Sequence, residues 1–595
     1  MSILVSQQAL PRLPLLRRWG AAPAAWALLA TAFLVIATLA SPGSSLYDSL
    51  GDTDDAVRLV SVRELLAGAS WFDTSLSRIG APEPLVSHWS RLIDAPLAVM
   101  IAAISPLLGK DWAELTIRIL WPALLFLTLA IIITHEAQRR AGPLAAAFAL
   151  YLVTSSATAI LQFRPGRIDH HNAQVLCAVA GLLFLARSLD DRRCGWISGV
   201  LLGLGLAVGY EAMALVVPTL AMAALLAIWH PGNGAGVARA ATAGTSVLFV
   251  ALALTVPPQR WLDIHCDALS LNLAVLAAFA TLGLWAAIAG ASRRRRIVRF
   301  GILGACIVIG GAIYAALEPA CLAGPFGQVN AALKPIWLDH VLETKSLFWL
   351  GAREPTTAVA AVAFIFAGVA AQVALWHRQP DAGSGLAAVF TALATLLGCW
   401  QLKLLPYAAW LCALPLAVWA VRLPGTVSLS APVIQLAVIV LLSHATLDAG
   451  FGILRRSATG SVTSFTSLAA DRRCFRSANV EPLAALPPGL VAADIDLGPY
   501  IVALSPHRVV AAPYHRLDKG ILANHAILAG TPEEAMPHLR GLGVSYVMLC
   551  ADRSIRGNDR SLRALLLGGK PPQFLHQVQL PPGTPIQVWK VAPGL

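Results

Sequence analysis

Charged residues are scarce in this chain of 595 residues. Asp, Glu, Lys and Arg make up 13% of it, about half the share found in soluble domains, whereas 57% of the residues are hydrophobic. The nine cysteines include no CxxC pair and no zinc-ligand spacing. No repeat of fixed period and no nucleotide-binding motif is visible. These absences argue against a soluble globular domain, a zinc-stabilised fold and a repeat array.

What the chain has in abundance is apolar runs of about 20 residues, the length that crosses a bilayer as a helix. Short charged loops separate them, which indicates an α-helical polytopic membrane protein. We predict thirteen spans, at roughly 21–40, 117–134, 143–160, 173–188, 195–209, 212–229, 238–256, 269–290, 300–317, 357–376, 384–399, 405–421 and 429–448.

The net charge of +12 would suggest a nucleic-acid partner in a soluble protein. Here the arginines cluster beside apolar runs, as the positive-inside rule describes. If Arg17 and Arg18 are cytoplasmic, the strong clusters all fall on that side: Arg139-Arg140, Arg192-Arg193, Arg239, Arg293 to Arg296, His377-Arg378 and Arg422. We therefore expect a bacterial inner-membrane protein with a cytoplasmic N-terminus and no nucleic-acid partner. The run 21–40 could be a signal peptide, but its length favours an uncleaved first helix.

This topology makes 1–448 the transmembrane domain, with a long first external loop at 41–116. The loop holds ten acidic residues against five Lys or Arg. Its apolar piece, 95–108, is too short to span and is predicted to be interfacial or re-entrant. Three further segments are predicted to face the same side: 164–174, 318–356 and 399–407.

The C-terminal segment alternates turn signals with short β-type runs. We predict strands at GLVAADI, YIVAL, HRVVAAPY, VSYVMLC and PIQVWKV, and a helix at TPEEAMPHLRGLG with Thr531 as its N-cap. The pattern predicts a linker at 449–470 and a mixed α/β extracytoplasmic domain at 471–595. Cys474 and Cys550 lie in this domain and could pair in an oxidising compartment.

Acidic residues concentrate at the start of the first loop, in GDTDDAVRLVSVREL. Asp52, Asp54 and Asp55 could be no more than a solvated loop. Carboxylates at a membrane surface are, however, also placed to hold a divalent cation through hard oxygen ligands. Further candidates in the same loop are His88, Trp89 and Asp94 of SHWSRLIDAPLA, although Trp89 could be an interfacial anchor.

The stretch RPGRIDHHNAQ brings acid, imidazole and guanidinium groups together at the start of a span. Asp169 and His171 could share a metal with the first-loop aspartates, with His170 as a neighbour, or could be polar residues at a helix end. Arg164 and Arg167 could bind phosphate, or could anchor the helix to lipid headgroups.

Two charged residues in later external loops are also candidates. Glu343 lies in VLETKS and could be an ordinary solvated loop residue. Lys403 lies in QLKLLPY, flanked by apolar residues, and could bind phosphate or extend its amine to the membrane surface.

Together these features resemble the GT-C superfamily of membrane glycosyltransferases, and most closely the catalytic subunit of oligosaccharyltransferases. Thirteen spans, an acidic first external loop and a C-terminal external domain match that architecture, and EEAMPHLRGLGVSYVML resembles a helix–strand segment of such domains. The metal-binding aspartate of the family's first motif falls on Asp55, with Asp54 close behind. The Asp-x-His motif of the archaeal branch falls on Asp169 and His171.

Other motif positions are matched less closely. HWSRLIDAPLA resembles a W-x-P-x-x-D piece through Trp89 and Asp94, Glu343 matches the acid that contacts the acceptor, and Lys403 stands where a basic residue contacts the lipid pyrophosphate. The WWDYG motif that recognises the acceptor sequon is absent. Its nearest counterpart, ADIDLGPYI, keeps the Asp and Gly but lacks the paired tryptophans. Gln174 stands where some relatives carry an acid.

The resemblance implies an integral-membrane glycosyltransferase. It would move a sugar or oligosaccharide from a polyprenyl-phosphate-type carrier to a lipid, polysaccharide or protein acceptor on the periplasmic side. The implied roles are a divalent metal, Mn²⁺ or Mg²⁺, on Asp55, Asp169 and His171; phosphate binding by Lys403, Arg164 and Arg167; and acceptor activation by Asp55 or Glu343. The missing tryptophans favour an acceptor other than a sequon.

Two alternatives remain open. A non-catalytic transporter or flippase for lipid-linked glycans would carry charged residues within its spans and two-fold internal repeats. An O-antigen ligase or polymerase would place its large external loop between later spans.

Overall fold

The computed structural model describes residues 23–40, 46, 48–289, 295–426, 429–459, 473–551 and 559–593. Within these ranges nine helices are long and apolar enough to cross a membrane, or eleven if each of two bent helix pairs is one span. The helices of the membrane part are α1 (Pro23–Ala40), α2 (Thr53–Leu66), α3 (Arg91–Leu108), α4 (Lys110–Ala141), α5 (Pro143–Thr154), α6 (Ala157–Ile160), α7 (His171–Arg187), α8 (Cys194–Val208), α9 (Met213–Trp229), α10 (Gly234–Thr255), α11 (Leu271–Ile288), α12 (Arg296–Leu317), α13 (Leu333–Ile336), α14 (Leu347–Gly351), α15 (Pro355–Arg378), α16 (Ala382–Trp400), α17 (Leu405–Ala420), α18 (Ala431–Leu441) and α19 (His444–Thr459).

The predicted class, a polytopic helical membrane protein, is confirmed. Eight of the nine long helices and both bent pairs coincide with predicted spans. The other three predicted spans are the shorter helices α7, α8 and α9, of 17, 15 and 17 residues. The ninth long helix is α3, which corresponds to the predicted interfacial segment of the first loop.

α2 contacts the start of α3 and the start of α4. Near the start of α3, Asp94 pairs with Arg58 of α2 at 2.5 Å. Gly109 joins α3 to α4, and Glu114 in the second turn of α4 pairs with Arg63 of α2 at 2.6 Å. The interfacial placement of α3 stays a prediction.

Arginines meet at the far end of α4, whose 32 residues span about 48 Å. Glu136 there pairs with Arg139 at 2.8 Å, Arg140 at 2.6 Å and Arg187 at 3.4 Å. Three described arginines therefore meet at one carboxylate there, and the predicted orientation of the chain in the membrane stays a prediction. Arg17, Arg18, Arg293 and Arg294 lie outside the described residues.

The bundle is centred on α17, in which 15 of the 16 residues are buried. The Trp410 ring packs against Phe126 and Phe163 with centroids 5.7 Å apart in both pairs. The Trp410 indole also donates a 2.9 Å hydrogen bond to the Ala159 carbonyl. This packing holds the chain on either side of Phe163 and so fixes the loop that leads into α7.

The C-terminal region is the mixed α/β domain that the sequence predicts. The strands of the protein and the helices of this region are β1 (Ser75–Leu76), β2 (Leu85–Val86), β3 (Leu490–Ala493), β4 (Arg508–Val509), β5 (Val544–Cys550), β6 (Leu575–Val578), β7 (Ile586–Val591), α20 (Ser477–Val480), α21 (Gly498–Leu504), α22 (Asp518–Ala529), α23 (Pro532–Leu542) and α24 (Leu562–Leu567). The five-stranded sheet of the C-terminal region has the order β4-β3-β5-β7-β6, with β3 parallel to β4 and β5, and β7 antiparallel to β5 and β6. A separate hairpin in the first loop pairs β1 with β2.

Two local predictions differ from the structure. YIVAL is not a strand but most of α21, because Pro499 favours a helix start and the helix packs on α2. The first part of the predicted linker 449–470 is helical, since α19 continues to Thr459, and the rest lies outside the described residues. The predicted cap is confirmed: Thr531 forms a capping box with Glu534 at the start of α23.

Two disulfides lie on the same side as α2. Cys474 pairs with Cys550 in the C-terminal domain, as the sequence allowed. Cys266 pairs with Cys321 and joins the loop before α11 to the turn after α12. Disulfides are typical of an oxidising compartment, so both fit an extracytoplasmic face.

Candidate active site

Acidic residues build the N-terminus of α2. Asp52 Oδ1 accepts hydrogen bonds from the amides of Asp54 and Asp55 at 3.0 and 3.1 Å. Asp55 Oδ2 accepts from the Asp52 amide at 3.0 Å and completes a capping box. Gly51 permits this turn, since its φ is +90° and a Cβ there would lie 2.3 Å from Asp55 Oδ2.

The loop before α7 lies against this helix end. Asp55 Oδ1 accepts hydrogen bonds from the amides of Ile168 at 2.7 Å and Asp169 at 3.0 Å. The Arg167 guanidinium binds the carboxylates of Asp52 and Asp169 and lies 3.0 Å from Asp55 Oδ2. One guanidinium therefore contacts three carboxylates, and these contacts join the start of α2 to the loop before α7.

These contacts bear on the roles expected of two residues. Both oxygens of Asp55 are hydrogen-bonded or paired and its side chain is 0% exposed, so it anchors the loop. Asp55 also forms a group with Asp52 and Asp169 whose ligand atoms lie within 4.8 Å of one another, and its metal role stays a prediction. Arg167 contacts three carboxylates, and its phosphate contact stays a prediction. Asp54, one position earlier, belongs to a second such group.

Asp54 lies beside the second predicted ligand pair. Its Oδ2 is 3.8 Å from Nε2 of His171, and Asp54, Asp169 and His171 each offer a ligand atom within 4.8 Å of the others. His171 Nε2 is buried and has no hydrogen-bond partner. Burial, then the charges of Asp52 and Glu343, raise the pKa of Asp54 to about 8. A bound cation would offset this negative potential.

Two later external segments reach the same place. Glu343 lies on a short 3₁₀ turn, close enough for its charge to act on Asp54 and on His171. Lys403 lies on another such turn, where its charge acts on Glu211. A 2.8 Å backbone hydrogen bond joins the two segments. Glu343 and Lys403 therefore lie on adjoining segments whose charges act on this group, and their predicted roles stay predictions.

Glu211, between α8 and α9, is a site residue that the sequence pattern did not single out. Its Oε1 lies 3.0 Å from His170 Nε2, and its other oxygen accepts from the side-chain amide of Gln174. Burial opposes its charge, but His170, His171 and Lys403 hold the pKa of Glu211 well below its ordinary value. Glu211 therefore places a carboxylate beside Gln174, the position at which some relatives carry an acid. The sequence feature that could have identified Glu211 is an acidic residue that stands alone between two apolar runs.

The C-terminal domain contributes to the site through a tyrosine, also missed from sequence. The Tyr514 hydroxyl lies 3.0 Å from Asp54 Oδ1 and 3.1 Å from the Thr53 carbonyl, either of which can accept its hydrogen bond. Its ring packs edge-on against Trp89, with centroids 5.3 Å apart. Trp89 is 5% exposed, so it is a wall of the site and not a membrane anchor. The Tyr500 hydroxyl donates to the turn before α2.

The remaining predicted residues lie outside this centre. The His88 ring is 4.9 Å from that of His515, whose Nε2 is 2.6 Å from Asp267 Oδ2. Asp94 is bound by two arginines at 2.5 and 2.9 Å and ties α2 to α3, which explains its place in the motif without a ligand role. Arg164 is exposed at the protein surface, and its predicted phosphate contact stays a prediction.

Comparison with known proteins identifies the fold. No protein-family model and no curated protein sequence matches the chain. Among solved structures, the archaeal oligosaccharyltransferase AglB from Archaeoglobus fulgidus, in complex with an inhibitory peptide and a dolichol-phosphate, has a TM-score of 0.61 at 12% identity, covering 90% of this chain and 70% of that chain. The same organism's oligosaccharyltransferase tethered with an acceptor peptide containing the NVT sequon has a TM-score of 0.64 at 13% identity, covering 90% and 69%. Its complex with Zn and sulfate has a TM-score of 0.55 at 14% identity, covering 89% and 68%.

At these identities the likeness establishes the fold and no more. This chain has the fold of these oligosaccharyltransferase structures, which confirms the predicted fold. The shared fold extends over nine-tenths of the chain.

Proposed function

We propose that this protein is an integral-membrane glycosyltransferase. It moves a sugar or oligosaccharide from a polyprenyl-phosphate-type lipid to an acceptor on the external face of the membrane. The observation that carries the proposal is the group formed by Asp54, Asp169 and His171, whose ligand atoms lie within 4.8 Å of one another. The charge of Glu343 acts on Asp54 and that of Lys403 on Glu211, which is hydrogen-bonded to His170. A fold neighbour in complex with a dolichol-phosphate supports the lipid donor, and one with an acceptor peptide supports an acceptor.

The residues present fit a divalent cation. Asp54 and Asp169 supply the carboxylate oxygens that Mn²⁺ and Mg²⁺ prefer, and the buried, unpartnered Nε2 of His171 supplies the nitrogen. A fold neighbour that binds Zn and sulfate points the same way. When bound, the ion would stabilise negative charge on the phosphate of the donor.

The protein's own groups would act on the two substrates. Lys403 would add positive charge beside the departing phosphate, where the charge develops during transfer. Glu343, whose charge acts on Asp54 and His171, would orient the acceptor and accept its proton. Arg164 remains a proposed phosphate contact at the surface.

The acceptor is proposed to be a lipid or polysaccharide, or a protein read without a sequon. The segment that stands in place of the sequon motif has no tryptophans. A Cβ at Gly498 would lie 2.5 Å from the Ala511 carbonyl, which shows how closely α21 approaches the segment that follows β4. We place the protein in a bacterial inner membrane, with the site and the C-terminal domain periplasmic.

Mass spectrometry of glycolipids, surface polysaccharides and glycoproteins from a deletion strain tests this proposal and names the acceptor. The strain should lose one glycoconjugate, and the wild-type gene should restore it. Asp54→Asn should fail to restore it although the protein is inserted. Asp111→Asn, the same change on an exposed acid of α4, should restore it fully. An unchanged glycoconjugate profile in the deletion strain would refute the proposed activity.

A further inference from the structure

Buried polar atoms without partners gather in one short segment at the start of α7. Among the described residues, Nδ1 of His170, Nε2 of His171 and Oε1 of Gln174 are buried and make no hydrogen bond. These side chains belong to residues that are 3%, 7% and 0% exposed. An unpartnered buried polar atom is costly, so three within five residues point to a ligand that binds there.

Glu211 is the acid that these side chains hold. It contacts His170 through one oxygen and Gln174 through the other. Space for this arrangement depends on Gly209, where a Cβ would lie 2.5 Å from Gln174 Nε2 and 2.7 Å from Glu211 Oε2. The turn between α8 and α9 is therefore shaped to bring this carboxylate to the two histidines.

The ligand atoms of this group are arranged for a cation. One nitrogen of His170, one of His171 and an oxygen of Glu211 all lie within 4.8 Å of one another. His171 also belongs to the group with Asp54 and Asp169, so the two groups adjoin through one residue. Imidazole and carboxylate together suit Mn²⁺ and neighbouring divalent metals.

We infer that Glu211 takes part in divalent-cation binding at this site, through the group that it forms with His170 and His171. The inference rests on the proposed function, because it extends the same site by one carboxylate from a different pair of helices. In this arrangement the side-chain amide of Gln174 positions Glu211 through its hydrogen bond.

The Gln174–Glu211 contact offers a charge-conserving test. Since the two side chains have the same shape and share one hydrogen bond, exchanging them keeps the amide, the carboxylate and the net charge. Glu211→Gln alone removes the carboxylate. Gln174→Glu combined with Glu211→Gln returns it to the other end of the same contact. Glu533→Gln, on an exposed residue of α23, is the matched control.

Full-length protein in nanodiscs would be freed of metal with a chelator and titrated with Mn²⁺, and free Mn²⁺ would be followed by electron paramagnetic resonance. Loss of a group that supports metal binding typically costs 10- to 100-fold in affinity. We expect Glu211→Gln to weaken binding at least about tenfold on that scale, the exchanged variant to recover most of the loss, and Glu533→Gln to match wild type. Wild-type affinity in Glu211→Gln, or no recovery in the exchanged variant, would overturn the inference.

Two further readouts keep the outcomes distinct. If Glu211→Gln does not fold, Glu211→Asp and the exchanged variant carry the comparison, and a weak exchanged variant overturns the inference. Glycan transfer is measured on the same samples. A wild-type protein that binds Mn²⁺ through Glu211 but transfers no glycan would refute the proposed function and leave this inference standing.

Discussion

Removing the charge of Arg167 should release the loop that precedes α7. Its guanidinium holds Asp52, Asp55 and Asp169, and its side chain is 13% exposed. Breaking a buried ion pair by deleting one partner costs about 3–5 kcal/mol, because the other partner is left uncompensated. Every 1.4 kcal/mol is a factor of ten in an equilibrium constant, so Arg167→Ala should favour local opening of the loop by about 150- to 4,000-fold.

The amides of Ile168 and Asp169 report that opening directly, since both donate to Asp55 Oδ1. Hydrogen–deuterium exchange of the peptide that contains them, in the presence of a chelator, should be faster in Arg167→Ala by that factor. Arg508→Ala, on an exposed arginine of β4, is the control and should exchange as wild type does. Unchanged protection in Arg167→Ala, with only a weaker donor affinity, would refute the structural role and restore the phosphate-binding one.

Three other substitutions test separate contacts. Asp54→Asn should abolish glycan transfer with little change in thermal stability, because Asp54 belongs to the proposed metal group. Asp55→Asn should mainly lower the thermal stability, because Asp55 accepts the loop amides. If transfer and unfolding assays gave the opposite pattern, the roles of the two acids would be exchanged. Tyr514→Phe should cost about 1 kcal/mol and lower kcat more than it raises the donor KM, since its hydroxyl positions Asp54; wild-type kinetics would remove that role. Although burial opposes it, His515 and an adjacent arginine hold the pKa of Asp267 below its ordinary value of 3.8. A depressed carboxyl pKa adds stability above the unfolded value that is lost as pH falls through the folded one. Unfolding measured from pH 7 to pH 3 should therefore be less steep in Asp267→Asn, and identical slopes would contradict this ion pair's role.

The membrane architecture was open to prediction because its signals are long and redundant. Apolar length identified the spans, and the arginine clusters set their parity, so an error at one boundary could not invert the topology. The cap at Thr531 was predictable for a similar reason, since a capping box is a local contact within four residues. YIVAL was not, because five apolar residues fit a buried strand as well as a helix. Its packing against α2 decided the outcome.

The site was predictable in its location and less so in its detail. The sequence showed Asp52, Asp54 and Asp55 as a cluster, but the choice between neighbouring aspartates depends on which one the loop amides bind. Glu211 and Tyr514 join the site from distant parts of the chain, and no local spacing relates them to the aspartates. Contacts of that kind become visible only when the helices and the C-terminal domain are placed in space.

The central claim is that this site transfers a glycan from a lipid-linked donor. Its most direct test is consumption of polyprenyl-phosphate-linked and polyprenyl-pyrophosphate-linked sugars by the purified full-length protein in nanodiscs, with membrane extract as the acceptor source and mass spectrometry as the readout. The account predicts that one donor is consumed and its sugar appears on an acceptor, with Mn²⁺ or Mg²⁺ required and no turnover in Asp54→Asn. Consumption of no donor, donor consumption by wild type that persists in the presence of a chelator, or equal consumption by wild type and Asp54→Asn with Mn²⁺ present would contradict it.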